Sequence, residues 1–287
     1  MSAVATTYWP HPSEFSVITP RRRTKRAAAL PLPASAGPRK PLHLDGRAAP
    51  IEVSTVGTAL AVTRGARRMQ FPLARLSRVL VCGRVRWEGE ALALCLRHRV
   101  PVVFLDPRAQ PIGAAMPLQA QPGALDELLT AFVDRPHWRA RYENWLRSQR
   151  LRVLLAWRRR RAAGGTPVTR AEWVEAVRAQ VYVPEFASGS PAAGASYALV
   201  LVVLARAGVR TQYRAFDGGV LPLAVDLGRL LDLNVALTLG TLAPEFDRCG
   251  ALKARGFEAA AAEHEAFLVE LIERLRRRIG EWIEPWP

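Results

Sequence analysis

The chain reads as an α+β protein, with a small N-terminal β-rich domain followed by a larger all-α C-terminal domain. Three observations predict this. Between Pro41 and about Pro117, short β-branched apolar runs are cut by Gly57, Gly65, Pro72 and Gly83, the punctuation of short strands. From Leu125 onward the apolar residues recur at helical spacing, in segments too long for strands. The first forty residues fit neither pattern. They hold scattered prolines, the basic run Arg21-Arg22-Arg23-Thr24-Lys25-Arg26 and an Ala/Pro-rich stretch to Pro38, which predicts a mobile basic arm. The expected divisions are therefore 1–40, 41–118 and 119–287.

Within the β-rich part, Ile51-Glu52-Val53, Ala59 to Val62 and Arg68 to Leu73 form brief strand-like runs. Arg78-Val79-Leu80-Val81-Cys82 makes a fourth, ending at Gly83, and Val85-Arg86-Trp87 continues after the break. Glu88 to His98 places Ala91, Leu92, Cys95 and Leu96 on one side of a short helix. Val100 to Leu105 is nearly continuous in apolar residues and closes at Asp106-Pro107, the pattern of a buried strand followed by a turn.

Helices are expected over Leu125 to Val133 and Trp138 to Arg161, the second broken by Gly164-Gly165-Thr166-Pro167. Thr169 with Glu172 three residues on matches a capping box and starts another helix. Ala193 to Ala207 is apolar on almost every side and belongs at the centre of the helical domain. Phe257 to Trp282 closes the chain, with Phe267, Leu268, Leu271, Ile272, Leu275 and Ile279 along one face.

Charge restricts the partner. The formal net charge is +16, with 41 Lys+Arg against 25 Asp+Glu, and Lys occurs only at positions 25, 40 and 253. Planar guanidinium groups suit bidentate contact with phosphate, so a polyanion such as DNA is the expected ligand. The apolar fraction of 49% excludes global disorder. Cys82, Cys95 and Cys249 are widely separated, with no C-x-x-C pair, which points away from a disulfide framework or zinc site and toward a reducing compartment. The longest apolar run, Tyr197 to Ala205, is nine residues, whereas a bilayer span needs about 20. Without a secretory apolar core near Met1, the expectation is a soluble, cytoplasmic protein with no membrane partner.

The basic charge is concentrated on the long helix. At about 100° per residue, Arg139, Arg147, Arg150, Arg158 and Arg161 fall within one arc of roughly 100°, and Arg159 and Arg160 extend the run. Few acids lie within a helical turn of Arg158 to Arg161, so these side chains are expected to meet the DNA backbone rather than one another's counter-ions. Trp138, Tyr142 and Trp145 occupy the adjacent arc, either as a platform for an unpaired base or as an inward-packed core face.

Several segments, in this order, carry a family resemblance. Phe71-Pro72-Leu73 leads through Gly83 and the helix Glu88 to His98 to Val100-Pro101-Val102-Val103-Phe104-Leu105-Asp106, and Pro111-Ile112-Gly113 follows as a turn. Farther on come Tyr197-Ala198-Leu199 through Ala207-Gly208-Val209, then Leu223-Ala224-Val225-Asp226-Leu227, Phe246-Asp247 and Phe257. The series resembles the CRISPR-associated spacer-acquisition integrases and endonucleases, the Cas1 family, over roughly residues 41–287 and most weakly around 119–192. Arg99 stands where that family has Gly, and Gly228 near where it has a second acidic residue.

The resemblance implies metal-dependent attack of a DNA 3′-hydroxyl on a phosphodiester, for spacer acquisition. It also implies a homodimer formed through the β-domain and a small Cas2-type partner protein. The family uses a Glu, a His and an Asp to hold Mg²⁺ or Mn²⁺. Asp226 matches its Asp. Glu175 matches its Glu, since Glu175-Ala176 precedes Arg178 and Tyr182 as the family's Glu-Gly precedes an Arg and an aromatic residue. The place of the His falls on Asp217, and no His occurs between His137 and His264. The expected catalytic and metal-binding set is therefore Glu175, Asp217 and Asp226. Each has a plainer reading as well: Glu175 as an exposed helix residue paired with Arg, Asp217-Gly218-Gly219 as a hairpin turn, and Asp226 as a helix N-cap. Beside the integrase stand a catalytically degraded relative that keeps only DNA binding, and a transposon-borne integrase.

Overall fold

A computed structural model describes residues 39–117, 123–182, 193–209, 221–239 and 256–283. The basic run at 21–26, Asp217 and the Phe246-Asp247 pair lie outside these residues. The chain divides after Ser35, and everything described belongs to the second unit, Ala36–Pro287.

A six-stranded sheet comes first, followed by helices, as the α+β reading expects. The strands are β1 (Lys40–Val56), β2 (Ala59–Arg64), β3 (Arg67–Pro72), β4 (Leu76–Trp87), β5 (Val102–Leu105) and β6 (Pro111–Ala115), in spatial order β3-β2-β1-β4-β5-β6. β1–β2, β2–β3 and β5–β6 pair antiparallel; β1–β4 and β4–β5 pair parallel. Helix α1 (Gly89–Arg97) makes the crossover from β4 to β5.

Three boundaries differ from the sequence expectation. The break read as a strand end at Gly83 is a bend within β4, and β1 begins at Lys40 rather than at Ile51. Gly46 of β1 pairs with Gly83 of β4, and the register shifts between Gly46 and Ile51. A Cβ on Gly46 would stand 2.4 Å from the Arg84 carbonyl oxygen, and one on Gly83, whose φ is +79°, 2.6 Å from the Arg47 nitrogen. Two glycines facing each other thus let the sheet bend without ending either strand. Third, Pro111-Ile112-Gly113 is strand β6, not a turn. The turn precedes it, where Asp106 Oδ1 accepts from the amides of Arg108 and Gln110, each at 2.8 Å. Arg99, in the family's Gly position, has φ +58°, so the left-handed backbone persists without the residue that adopts it most easily.

The helices are α2 (Ala124–Val133), α3 (Trp138–Ala163), α4 (Arg170–Val177), α5 (Ala193–Arg206), α6 (Leu223–Leu239) and α7 (Ala261–Ile283). Thr169 and Glu172 form the expected capping box at α4. Every residue of α5 from Gly194 to Leu204 is buried, as its all-round apolar character predicts. Gly208, at φ +76°, ends α5 and lets the Val209 amide donate to the Leu204 carbonyl at 3.0 Å. That is the physical content of the Ala207-Gly208-Val209 motif. Leu80 and Val103 of the sheet join the core of α2, α3, α5, α6 and α7, while Val79, Val81 and Val102 pack into a second core with α1. The central strands are buried on both faces, which explains their uninterrupted apolar sequence.

Candidate nucleic-acid and catalytic cleft

Helix α3 carries two different faces. Tyr142 and Trp145 are buried and stacked, with centroids 5.8 Å apart, and Trp138 meets Phe132 edge-on at 6.1 Å. Of the two readings of the aromatic stripe, packing is the one observed. The neighbouring face presents Arg139, Glu143, Arg147 and Arg150 at helical spacing to a cleft of about 510 Å³. Opposite stand Pro222, Asp226 and Arg229 from the start of α6, and Val181 and Tyr182 complete the wall. The last two belong to a π-helical turn, Arg178–Tyr182, that continues α4. Tyr182 is 73% exposed, an aromatic ring open at the rim.

Asp226 lies in the first turn of α6, inside the helix and not at its N-cap. It is 6% exposed. Its Oδ2 accepts from the Tyr142 hydroxyl at 3.2 Å, and Arg229 lies 3.6 Å from Oδ1. Burial raises its pKa above the ordinary carboxylate value, opposed by the Tyr142 hydrogen bond and by Arg229 and Arg150. Burial likewise lowers the pKa of Arg150, with Asp226 acting against that shift. The Tyr142 phenol is driven well above its usual range, first by desolvation and then by the nearby carboxylate. Tyr142 therefore stays a donor, and fixes Asp226 in place.

Glu175 is elsewhere. No residue of α4 is buried, and Glu175 accepts from Arg178 Nε at 3.0 Å and Nη2 at 2.9 Å on the helix surface. The Arg178 hydrogen bond lowers the Glu175 pKa. Glu175 does not line the cleft that holds Asp226. Among the described residues, no three His, Cys, Asp or Glu side chains come close enough to hold a metal ion. The donors that are placed thus fit a divalent cation only in part: Asp226 offers buried oxygen in the cleft, Glu175 is committed to Arg178, and Asp217 lies outside the described residues.

The arginine run also divides. Arg139, Arg147 and Arg150 line the cleft, whereas Arg158 to Arg161 lie beyond it. Arg158 sits over the Trp173 ring at 5.2 Å, and Arg160 donates to Thr238 Oγ1 at 3.2 Å. Arg161 donates to the Thr166 carbonyl at 2.8 Å and lies 5.9 Å from the Trp157 ring. Arg159 is exposed. The partners of this cluster are aromatic rings, hydroxyls and a carbonyl, which a search for nearby acids overlooks. Sequence reasoning also missed Glu143, Tyr182 and Arg229 as cleft residues. Two of them carried a signal, since Glu143 is four residues from both Arg139 and Arg147, and Arg229 is three from Asp226.

A bent mixed sheet leading into a helical body with a basic, carboxylate-bearing cleft is the architecture of the Cas1 fold. Residues 49–152 match the family model described as CRISPR associated protein Cas1. A Cas1 protein from Thermotoga maritima aligns over 84% of this chain and 97% of its own, at 12% identity and a TM-score of 0.63. A TtCas1–DNA complex aligns over 84% and 91%, at 15% identity and a TM-score of 0.54. A casposase bound to integration product aligns over 70% and 72%, at 12% identity and a TM-score of 0.51. No curated protein matches the chain in sequence. The chain thus has the Cas1 fold, and its residues 49–152 are similar in sequence to the Cas1 family. Among the described residues, no helix is long and apolar enough to cross a membrane.

Proposed function

We propose that this protein is a DNA integrase and endonuclease of CRISPR adaptation, which joins a DNA 3′-hydroxyl to a phosphodiester during spacer acquisition. One observation carries the reading: a buried, fixed carboxylate, Asp226, at a cleft walled by four arginines, Arg139, Arg147, Arg150 and Arg229. Guanidinium groups hold the phosphate backbone and stabilise the charge that develops as the attacking oxygen bonds to phosphorus and the leaving oxygen departs. The exposed Tyr182 ring at the rim suits stacking of an unpaired base, in keeping with a duplex that has single-stranded ends. Mg²⁺ or Mn²⁺ belongs to this reading, with Glu175, Asp217 and Asp226 as its oxygen donors, and it would supply further charge neutralisation at the phosphate. That set closes only if Glu175 leaves Arg178. A solved Cas6-RT-Cas1–Cas2 complex is also similar in fold, with a TM-score of 0.55, and supports a small Cas2-type partner. A homodimer acting in the cytoplasm completes the reading.

A second reading has its own observation. Glu175 is tied to Arg178 away from the cleft and Asp217 stands in the place of the family's His, as expected of a relative that binds DNA without chemistry. One experiment separates them: strand transfer of a labelled short duplex into a CRISPR-repeat plasmid, with the small partner present, in Mn²⁺ or EDTA, for wild type and Asp226→Asn. Product that needs the metal and is lost in the variant supports the integrase. Tight DNA binding without product, or product that Asp226→Asn leaves unchanged, refutes the site proposed here.

A further inference from the structure

The cleft holds two carboxylates, Asp226 and Glu143, and their situations differ. Asp226 is buried, with Oδ2 engaged by Tyr142 and Arg229 near Oδ1. Glu143 is exposed at the same cleft, one residue along α3 from Tyr142, and makes no hydrogen bond or ion pair among the described residues. That is unexpected, because Arg139 and Arg147 each lie one helical turn away, at the i,i+4 spacing where such pairs form. Instead Arg147 donates to Asn144 at 3.2 Å, and Arg139 lies over the Trp138 ring at 5.4 Å. An unengaged carboxylate on a surface meant for phosphate works against DNA affinity, since like charges repel. Its presence there calls for a task other than binding.

We propose that Glu143 is the proton acceptor of the strand-transfer reaction, a role that rests on the integrase reading above. The attacking 3′-hydroxyl gives its proton to a Glu143 carboxylate oxygen as its oxygen bonds to phosphorus. The bond from phosphorus to the leaving 3′-oxygen breaks, that oxygen takes a proton from water, and Glu143 passes its own proton to solvent and returns to its starting state. Asp226 is ill placed for this task, because both its oxygens already face donors. The two carboxylates thus divide the labour: the buried one is held fixed, and the open one exchanges a proton.

The test uses the full chain with its small partner, comparing wild type with Glu143→Gln. The strand-transfer rate is measured at saturating DNA, and the DNA Kd by fluorescence anisotropy. The variant should lose about 100-fold or more in rate, the usual contribution of a general base, while its Kd stays unchanged or falls, since a negative charge has left a phosphate-binding surface. A structural role would move rate and affinity down together, and that result overturns the proposal. So does a variant rate within a few-fold of wild type while wild type transfers strands normally. A wild type that binds DNA and never transfers strands fails at the prior step, and overturns the integrase reading along with the proton acceptor.

Discussion

Removing the Glu258 carboxylate should cost this protein a large share of its stability, although Glu258 lies outside the cleft. Arg78 projects from β4 toward the helices and is 3% exposed. Its Nη2 donates to both oxygens of Glu258, at 2.6 and 2.7 Å, and His43 lies 3.3 Å from one of them. Its Nε has no partner among the described residues. Burial lowers the Arg78 pKa despite the opposing pull of Glu258, so the pair does not recover the full cost of taking the guanidinium out of water. Glu258→Ala leaves that cation uncompensated, and removal of one partner from a buried pair costs about 3–5 kcal/mol. At about 2–4 °C per kcal/mol for a chain of this size, the melting temperature falls by about 6–20 °C. Urea unfolding followed by tryptophan fluorescence measures the loss. Replacing the pair together, as Arg78→Met with Glu258→Leu, should restore most of it, because no buried charge is left. A loss below about 1 kcal/mol in Glu258→Ala, the size expected of an exposed pair, refutes the claim that Arg78 is a buried, dependent cation.

Asp226→Asn should be more stable than wild type near pH 7 in EDTA. Burial raises the native Asp226 pKa, so its ionised form costs stability above that value, and the cost fades as acid protonates native and unfolded chains alike. The variant's advantage should therefore shrink on lowering the pH toward 4; an advantage that grows on acidification contradicts the assignment. Arg147→Ala with Arg150→Ala should flatten the salt dependence of DNA binding, by about 0.9 in log–log slope for each phosphate these arginines neutralise in the wild type, read from titrations at several salt concentrations. An unchanged slope removes these side chains from the interface. Thr169→Ala breaks the capping box of α4 and should cost about 1 kcal/mol locally. Since α4 buries no residue, hydrogen exchange should quicken at the amides of residues 172–177 and stay unchanged in α5.

The parts of the fold legible in the sequence were those set by one local signal. The capping box at Thr169, the all-round apolar helix from Ala193 and the apolar face of the closing helix each follow from periodicity or a single hydrogen-bonding pattern, and each is observed. What could not be read this way depends on a second strand. Gly46 and Gly83 each look like a terminator when read alone, because glycine weakens a strand. Only their pairing across β1 and β4 shows that each leaves out a Cβ that would strike the backbone of the facing strand. Strand β6 is hidden for the same reason: Pro111-Ile112-Gly113 has poor strand propensity, and pairing with β5 overrides it.

The site divides along the same line, and its charge sets how it must work. Asp226 was legible as a residue, but its partner Tyr142 is 84 positions away in sequence, and only the packing of α3 on α6 joins them. Once joined, they sit in a cleft with four guanidinium groups against two carboxylates. Such a surface attracts phosphate and repels a free divalent cation, so under the proposed function DNA binds before the cation. Phosphate adds negative charge and oxygen donors, which makes the same place more favourable for Mg²⁺ or Mn²⁺; by linkage, whatever a phosphate gains for the cation the cation gains for the phosphate. The arginines that make the cleft a poor metal site in isolation are thus the groups that bring the anion able to complete it.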